Sequence, residues 1–360
     1  MQGSAVTAIR QAGYEARSGL TLAAIGRRAG VSKATVSKVL NGRAGVSDET
    51  RQRVQLLLDI YGYPRGVTGA DGPTHRSNLV DVMVTDFHDP SVAMLMAGCE
   101  RGAAGRGLDI VPSLVSDPVP DEALTRILAR GSRGVVLVSA GLTPEQHRRL
   151  EAHGIPSVAI TDERPLPPVG RTVSIDHEAG VRHATDHLLS LGHRRIGLVL
   201  GPRRSTGSEQ RWCGYATSLS AHGIRVDPAL IRCGDLSPDA GEIFTEALLE
   251  ADDPPTALVM ADDRVAVGAY RAVETRGGRV GEDLSIIGSA DRPQASWLRP
   301  ELSTIRIPGA AVAEAAVQLL TDPEPVSSEI VITPKLIKRR SARPRSRQAM
   351  VLHSARPTGF

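Results

Sequence analysis

Ser32, Lys33, Ala34, Thr35, Ser37, Lys38, Asn41, Ser47, Thr50 and Arg51 gather short polar and basic side chains into one stretch of the chain. Such a set can bind nucleic acid. A lysine donates to guanine O6 and N7, and a short alanine permits close approach and an apolar contact with a thymine methyl. Thr35, Ser47 and Thr50 can hydrogen-bond phosphates, and Arg51 and Arg53 can pair with them. Other candidates for chemistry are weaker. Asp262 and Asp263 are adjacent carboxylates, which on a loop point apart. Gly201-Pro202 opens neither a dinucleotide fingerprint nor a phosphate-binding loop. His193 sits in a Gly-His-Arg-Arg turn, and no Ser/His/Asp order stands out. Cys99, Cys213 and Cys233 are too scattered for a metal site and read as reduced, buried thiols. The expectation is a binding protein with no catalytic residue, metal or cofactor.

Spacing supplies a scaffold for the basic stretch. Leu22, Ile25 and Ala29 form the apolar stripe of a first helix. Gly30 follows where a tight turn needs a residue tolerant of positive φ. Ser32 is a good N-cap for a second helix, whose Val36, Val39 and Leu40 turn inward while Lys33, Ala34, Ser37 and Lys38 lie on the other side. Ser47 caps a third helix carrying Val54, Leu57, Leu58 and Tyr61 at helical spacing. A helix-turn-helix lays its second helix in the major groove. A plain three-helix bundle with a wet basic face has the same spacing.

At 360 residues the chain is too long for one core and suggests two or three domains. The net charge of +3 hides an asymmetry. Through Arg65, basic residues outnumber the acids Glu15, Asp48, Glu49 and Asp59, and no acid follows Lys335. A basic end on an acidic body suits a nucleic-acid module joined to something else, although a charge run alone is equally a solvated face. The expected organisation is a disordered leader over 1–19, a helix-turn-helix domain over 20–65, and a Gly/Pro-rich linker over 66–77. A larger, two-lobed domain follows over 78–342, then a basic disordered tail over 343–360. No run approaches the roughly 20 apolar residues of a membrane helix. The leader lacks a secretory apolar stretch, so the cytoplasm is expected.

From Asn78, short apolar runs alternate with helical stretches. Strands are predicted at Leu79–Thr85, Leu108–Val111, Gly134–Ser139, Ser157–Thr161, Ile196–Leu200, Ala257–Ala261 and Leu284–Gly288. Helices are predicted near Val92–Ala104, Glu122–Ala129, Pro144–Ala152, Ala179–Leu191, Glu209–Ala221, Ala240–Leu249 and Asp263–Thr275. Such alternation indicates an α/β chain with parallel sheets covered on both faces. The units are too many for one sheet, so two doubly wound lobes are expected, the second starting near Ile175. Thr304–Pro308 and Glu329–Ile332 can send the chain back between them.

The segment Ala29-Gly30-Val31-Ser32, Thr35 through Gly42, Val46-Ser47, Thr50-Arg51, Val54 and Gly62-Tyr63 resembles the helix-turn-helix of the LacI-type (lactose-repressor) regulators. That resemblance implies that Lys33, Ala34 and Lys38 read bases. The family more often carries arginine where Lys38 stands, which exchanges a bidentate fork for a point charge. The family also continues into a short hinge helix that wedges a leucine into the minor groove. Here Gly72 falls about where that leucine is expected. Gly66, Gly69 and Gly72 each cost a helix about 1 kcal/mol, so weak or absent wedging is expected.

The body resembles the family's sensor, which is similar to periplasmic sugar-binding proteins. The matching pieces include Leu191 through Gly197, Arg211 through Tyr215, Pro255-Thr256-Ala257 before Asp262-Asp263, Glu282 through Gly288, and Leu302 through Arg306. In such folds ligands lie beyond the carboxyl ends of strands, between lobes. Asp86, Phe87 and His88 follow the first strand, Thr161 and Asp162 follow another, and Arg211, Asp262 and Trp297 come from the second lobe. Arg211 matches the family arginine that holds the effector. Phe87 and Trp297 read equally as core. Thr161 and Ala290 replace carboxylates frequent in the family, so the effector is either an unusual sugar or another metabolite. A homodimer on palindromic double-stranded DNA is expected, with no membrane partner. Release by an inducer and capture by a corepressor are both open, as is a sensor that answers to a partner protein.

Overall fold

The computed structural model describes residues 22–40, 44–60, 77–161, 170–203, 205–323, 325 and 327–345. Asn41, Tyr61, the linker through 76, Asp162 and the tail from 346 lie outside the described residues, and so do the expectations placed on them. The described chain divides into two compact units. The first holds the residues before Asn78 together with Glu122–Arg133, and the second holds the rest.

In the first unit, α1 (Leu22–Ala29), α2 (Lys33–Leu40) and α3 (Asp48–Ile60) follow one another. Ile25, Ala29, Val36, Val39, Val54 and Leu58 are buried together, with Leu22, Val31, Val46 and Leu57 packed against them. The turn between α1 and α2 is set by glycine. Gly30 takes φ +69°. Its N–H donates to the Arg27 carbonyl at 3.4 Å, and the Val31 N–H donates to the Gly26 carbonyl at 2.9 Å. This pair of bonds is the Schellman closure of a helix end. A Cβ at Gly26 would lie 2.8 Å from the Val31 carbonyl oxygen, so the turn closes only over glycine.

The second unit contains two six-stranded sheets. The strands are β1 (Leu79–Val84), β2 (Asp109–Leu114), β3 (Gly134–Val138), β4 (Ser157–Ile160), β5 (Arg171–Ile175), β6 (Ile196–Leu200), β7 (Ile231–Cys233), β8 (Ala257–Met260), β9 (Ser285–Ala290), β10 (Ser303–Arg306), β11 (Glu329–Ile332) and β12 (Lys335–Ile337). The helices that alternate with these strands are α4 (Pro90–Ala104), α5 (Asp121–Arg130), α6 (Pro144–Ala152), α7 (His177–Ser190), α8 (Thr206–Ala221), α9 (Pro238–Leu249), α10 (Asp263–Thr275) and α11 (Gly309–Thr321), of which α5 falls almost wholly in the first unit. The first sheet runs β11-β5-β4-β3-β1-β2 and the second β12-β10-β9-β8-β6-β7. All neighbours are parallel except β12, which is antiparallel to β10. These are the two doubly wound lobes that the alternation predicts.

Among the described residues the chain crosses between lobes three times: from β5 to α7, from β10 to α11 and from β11 to β12. The first crossing lies where the second lobe was expected to begin, and the late apolar stretches carry the chain back. Four elements exceed the sequence expectation. Strand β5 buries Thr172 and Ser174 beside Val173, so it shows no apolar run. Strands β7 and β12 are only three residues long. Helix α11 begins after Pro308 without a side-chain cap, so no start signal precedes its alanines.

Each lobe joins its helices over glycine. A Cβ at Gly98 of α4 would run into the Ala310 carbonyl oxygen of α11. One at Gly214 of α8 would strike the Glu178 carbonyl oxygen of α7, and one at Gly268 of α10 would strike the Pro238 carbonyl oxygen of α9. Backbones can come this close only where a side chain is missing.

Candidate functional site

The N-terminal end of α2 is the first candidate. Ser32, Lys33, Ala34 and Lys38 are exposed, Thr35 and Ser37 are half-buried, and Val36 and Val39 anchor the helix from below. Ser32 Oγ accepts the Thr35 N–H at 3.1 Å, which caps the helix. Ser47 Oγ accepts the Thr50 N–H at 3.4 Å and donates to Thr50 Oγ1 at 2.9 Å. Thr50 Oγ1 therefore accepts from Ser47, so its own O–H points to another acceptor. Ser47 is exposed, while Thr50 and Arg51 are half-buried on the first turn of α3. Exposed donors at one helix start, with another capped start close behind in sequence, suit the polyanionic backbone of DNA.

The second candidate is a cavity of about 460 Å³ between the lobes. Of the predicted effector residues, Thr161, Arg211 and Asp262 line it. Asp86, Phe87, His88 and Trp297 do not. Asp86 instead closes a local turn, its Oδ1 accepting the His88 N–H at 2.8 Å, and this turn carries Phe87 outward. Phe87 is 47% exposed and Trp297 is 66% exposed, so neither is core. The cavity also gains Asp89, His147, Arg171, His177 and Arg292, which the sequence reading missed. Asp89 stands before a proline that opens a helix, a readable cap signal. Nothing local marked Arg292.

The polar rim is built from helix starts. Asp89 caps α4, accepting the Ser91 N–H at 2.8 Å. Burial pushes its carboxyl up, but the Ser91 donors and the Arg292 guanidinium hold it below its ordinary range. Asp262 caps α10, its Oδ1 accepting from Arg264 N–H at 2.8 Å and Arg264 Nε–H at 3.0 Å. Arg211 reaches within 3.5 Å of His177 Nε2. Ala290, with φ +110°, and Asp291, with φ +55°, turn the chain after β9. Asp291 is gripped by Arg306 Nε at 2.5 Å and Arg339 Nη2 at 2.7 Å.

Beneath the rim, Asp263 is buried and accepts from Thr304 Oγ1 at 2.6 Å and from the Arg292 N–H at 2.8 Å. Burial pushes its carboxyl up to about 7 against these hydrogen bonds, with Asp262 and Asp291 adding to the rise. A carboxyl whose folded value is raised favours folding while protonated. Its contribution is present below the ordinary value of 3.8 and is lost as pH rises through about 7. Asp263→Asn should therefore flatten the fall in stability across that window. Urea midpoints at several pH values check this, and identical slopes for both proteins would refute it.

Residues 21–65 match the family described as bacterial regulatory proteins, lacI family, and residues 185–342 match the periplasmic binding protein-like domain. The chain is 33% identical over 336 residues to the HTH-type transcriptional regulator MalR of Streptomyces coelicolor, covering 89% of this chain and 96% of that protein. It belongs to the LacI family of regulators. A solved complex of the LacI-family regulator CelR with cellobiose is 28% identical, with a TM-score of 0.66 over 90% of this chain and 100% of that one. The lac repressor dimer bound to operator and the anti-inducer ONPF is 27% identical, with a TM-score of 0.66 over 90% of this chain and 99% of that one. LacI-family relatives of this chain are transcriptional regulators. No helix of the described residues is long and apolar enough to cross a membrane.

Proposed function

We propose that this LacI-family regulator binds a palindromic operator as a homodimer in the cytoplasm and answers to a small molecule held in the cleft. The observation that supports this best is one chain with both an exposed, capped basic helix start and a cleft walled by both lobes. One recognition helix covers only a half-site, so two must be paired. The domain limits proposed are 20–65 for DNA binding and 78–342 for the sensor. An effector that binds one lobe pose better than another shifts that pose, and so couples the two sites. Regulation, with no chemical step, is the whole of this reading.

A sugar is the first reading of the effector, supported by cellobiose in the CelR complex. A non-sugar metabolite is the second, favoured by Thr161 and Ala290 where carboxylates are frequent. Selection of genomic fragments by the purified protein across a salt series tests the DNA reading. A palindromic site with steep salt dependence supports it, and salt-sensitive binding without a preferred site refutes it. Genes beside the site then nominate effectors. Arg211→Ala should keep operator affinity yet weaken the effector by about 10–100-fold, the worth of hydrogen bonds to a charged group. Unchanged effector response in operator-release assays would remove Arg211 from the site.

A further inference from the structure

Arg292 is 5% exposed, and its guanidinium stands in the cleft between two carboxylates from different lobes. Nη1 donates to Asp89 Oδ1 at 3.2 Å in the first lobe, and Nη2 donates to Asp262 Oδ2 at 3.2 Å in the second. Both aspartates also cap helices, so each is engaged twice over. Asp117, a third carboxylate lining the cleft, already accepts the Gly141 N–H at 2.9 Å. The arginine is fixed from behind by its own N–H on Asp263 and by the Asp291 grip.

We propose that Arg292 is a specificity-determining residue of the cleft: an internal cation that occupies the acceptors of Asp89 and Asp262 and clasps the two lobes before any ligand arrives. A buried charge is costly when its partners are removed. The guanidinium therefore holds its two aspartates together, and with them the starts of α4 and α10. A polyol hydroxyl that would donate to these carboxylates meets a stronger, tethered donor already in place. The cleft thus selects against ligands that need those acceptors and leaves the end near Arg211, His177 and Thr161 for the effector. That consequence rests on the cleft being the effector site, whereas the clasp does not.

The test uses full-length protein, spin-labelled at Cys213, which is exposed where a buried thiol was expected, and at Ala152→Cys on α6, with Cys233→Ser removing a half-buried thiol, diluted into unlabelled protein. Electron–electron distances then report the lobes without operator or effector, so failure of the regulatory reading leaves this result readable. Arg292→Ala should shift the distances longer and broaden them. Methylguanidinium, added as the probe, should restore the wild-type distances and bind the variant in calorimetry at concentrations that leave the wild type unchanged. Adding Asp89→Asn, whose amide oxygen still caps α4, should abolish that rescue. Asp89→Asn alone should loosen the lobes even where Arg292→Ala fails to fold. Wild-type distances in a folded Arg292→Ala or Asp89→Asn variant would overturn the proposal. So would methylguanidinium binding that is absent or is insensitive to Asp89→Asn.

Discussion

Ala34→Glu is expected to abolish operator binding while the three-helix unit stays folded. Ala34 is exposed on the first turn of α2. Glutamate is a good helix former, and a negative charge is welcome near a helix N-terminus, so the fold has no reason to suffer. The same carboxylate would face base edges and phosphates. Like charges brought together at an interface cost several kcal/mol, so affinity should fall about a hundredfold or more. Fluorescence anisotropy on the selected operator measures this, with a circular dichroism melt as the folding control. A loss below about tenfold would mean that α2 is not the helix in the groove.

Gly268→Ala is expected to be the most damaging single methyl in the sensor. The atom it would strike is the Pro238 carbonyl oxygen, a backbone atom that cannot rotate away. Gly241 faces the Val265 carbonyl oxygen across the same crossing, so the two helices must part along their whole contact. Overpacking of this kind costs about 1–3 kcal/mol, and rigid backbone places this case at the upper end. Gly105→Ala is the contrast. It caps α4 with φ −71°, and nothing lies within 4 Å of its added Cβ. That change should be neutral or stabilise by about 0.4–1 kcal/mol through the unfolded chain. Urea unfolding of both variants decides the matter, and equal midpoints would show that the α9–α10 crossing is not tightly held.

What could be read from sequence was local. Ala29-Gly30-Val31-Ser32 announces a helix end, a turn and a cap, and each part has its own short-range physics. The strands β3, β6 and β8 are continuous apolar runs and β1 is broken only by Asp81, so their buried setting shows in composition. Strand β5 hides because small hydroxyls pack beside its valine. Thr161 and Asp262 could be placed because ends of strands and starts of helices face a cleft in such folds, and Arg211, inside α8, because it matches the arginine that holds the effector in the family it resembles. Phe87 and Trp297 were placed by type and position alone, and their orientation depends on turns such as the one Asp86 closes. The Arg292–Asp89 pair is separated by 203 residues and joins two lobes, so no window of sequence holds both.

The three crossings make each lobe a patchwork of distant segments. Residues 78–175 supply every strand of the first sheet except β11, yet Val80, Val136 and Val158 lie in one core with Val312, Ala316 and Val317 of α11. A ribosome works at roughly 5–20 residues per second, so on the order of ten seconds separate Ile175 from Gly309. During that interval a face of valines waits without its cover. A chain that stops before Gly309 has no means of closing that face, so the late helix decides when a nascent molecule is safe from aggregation.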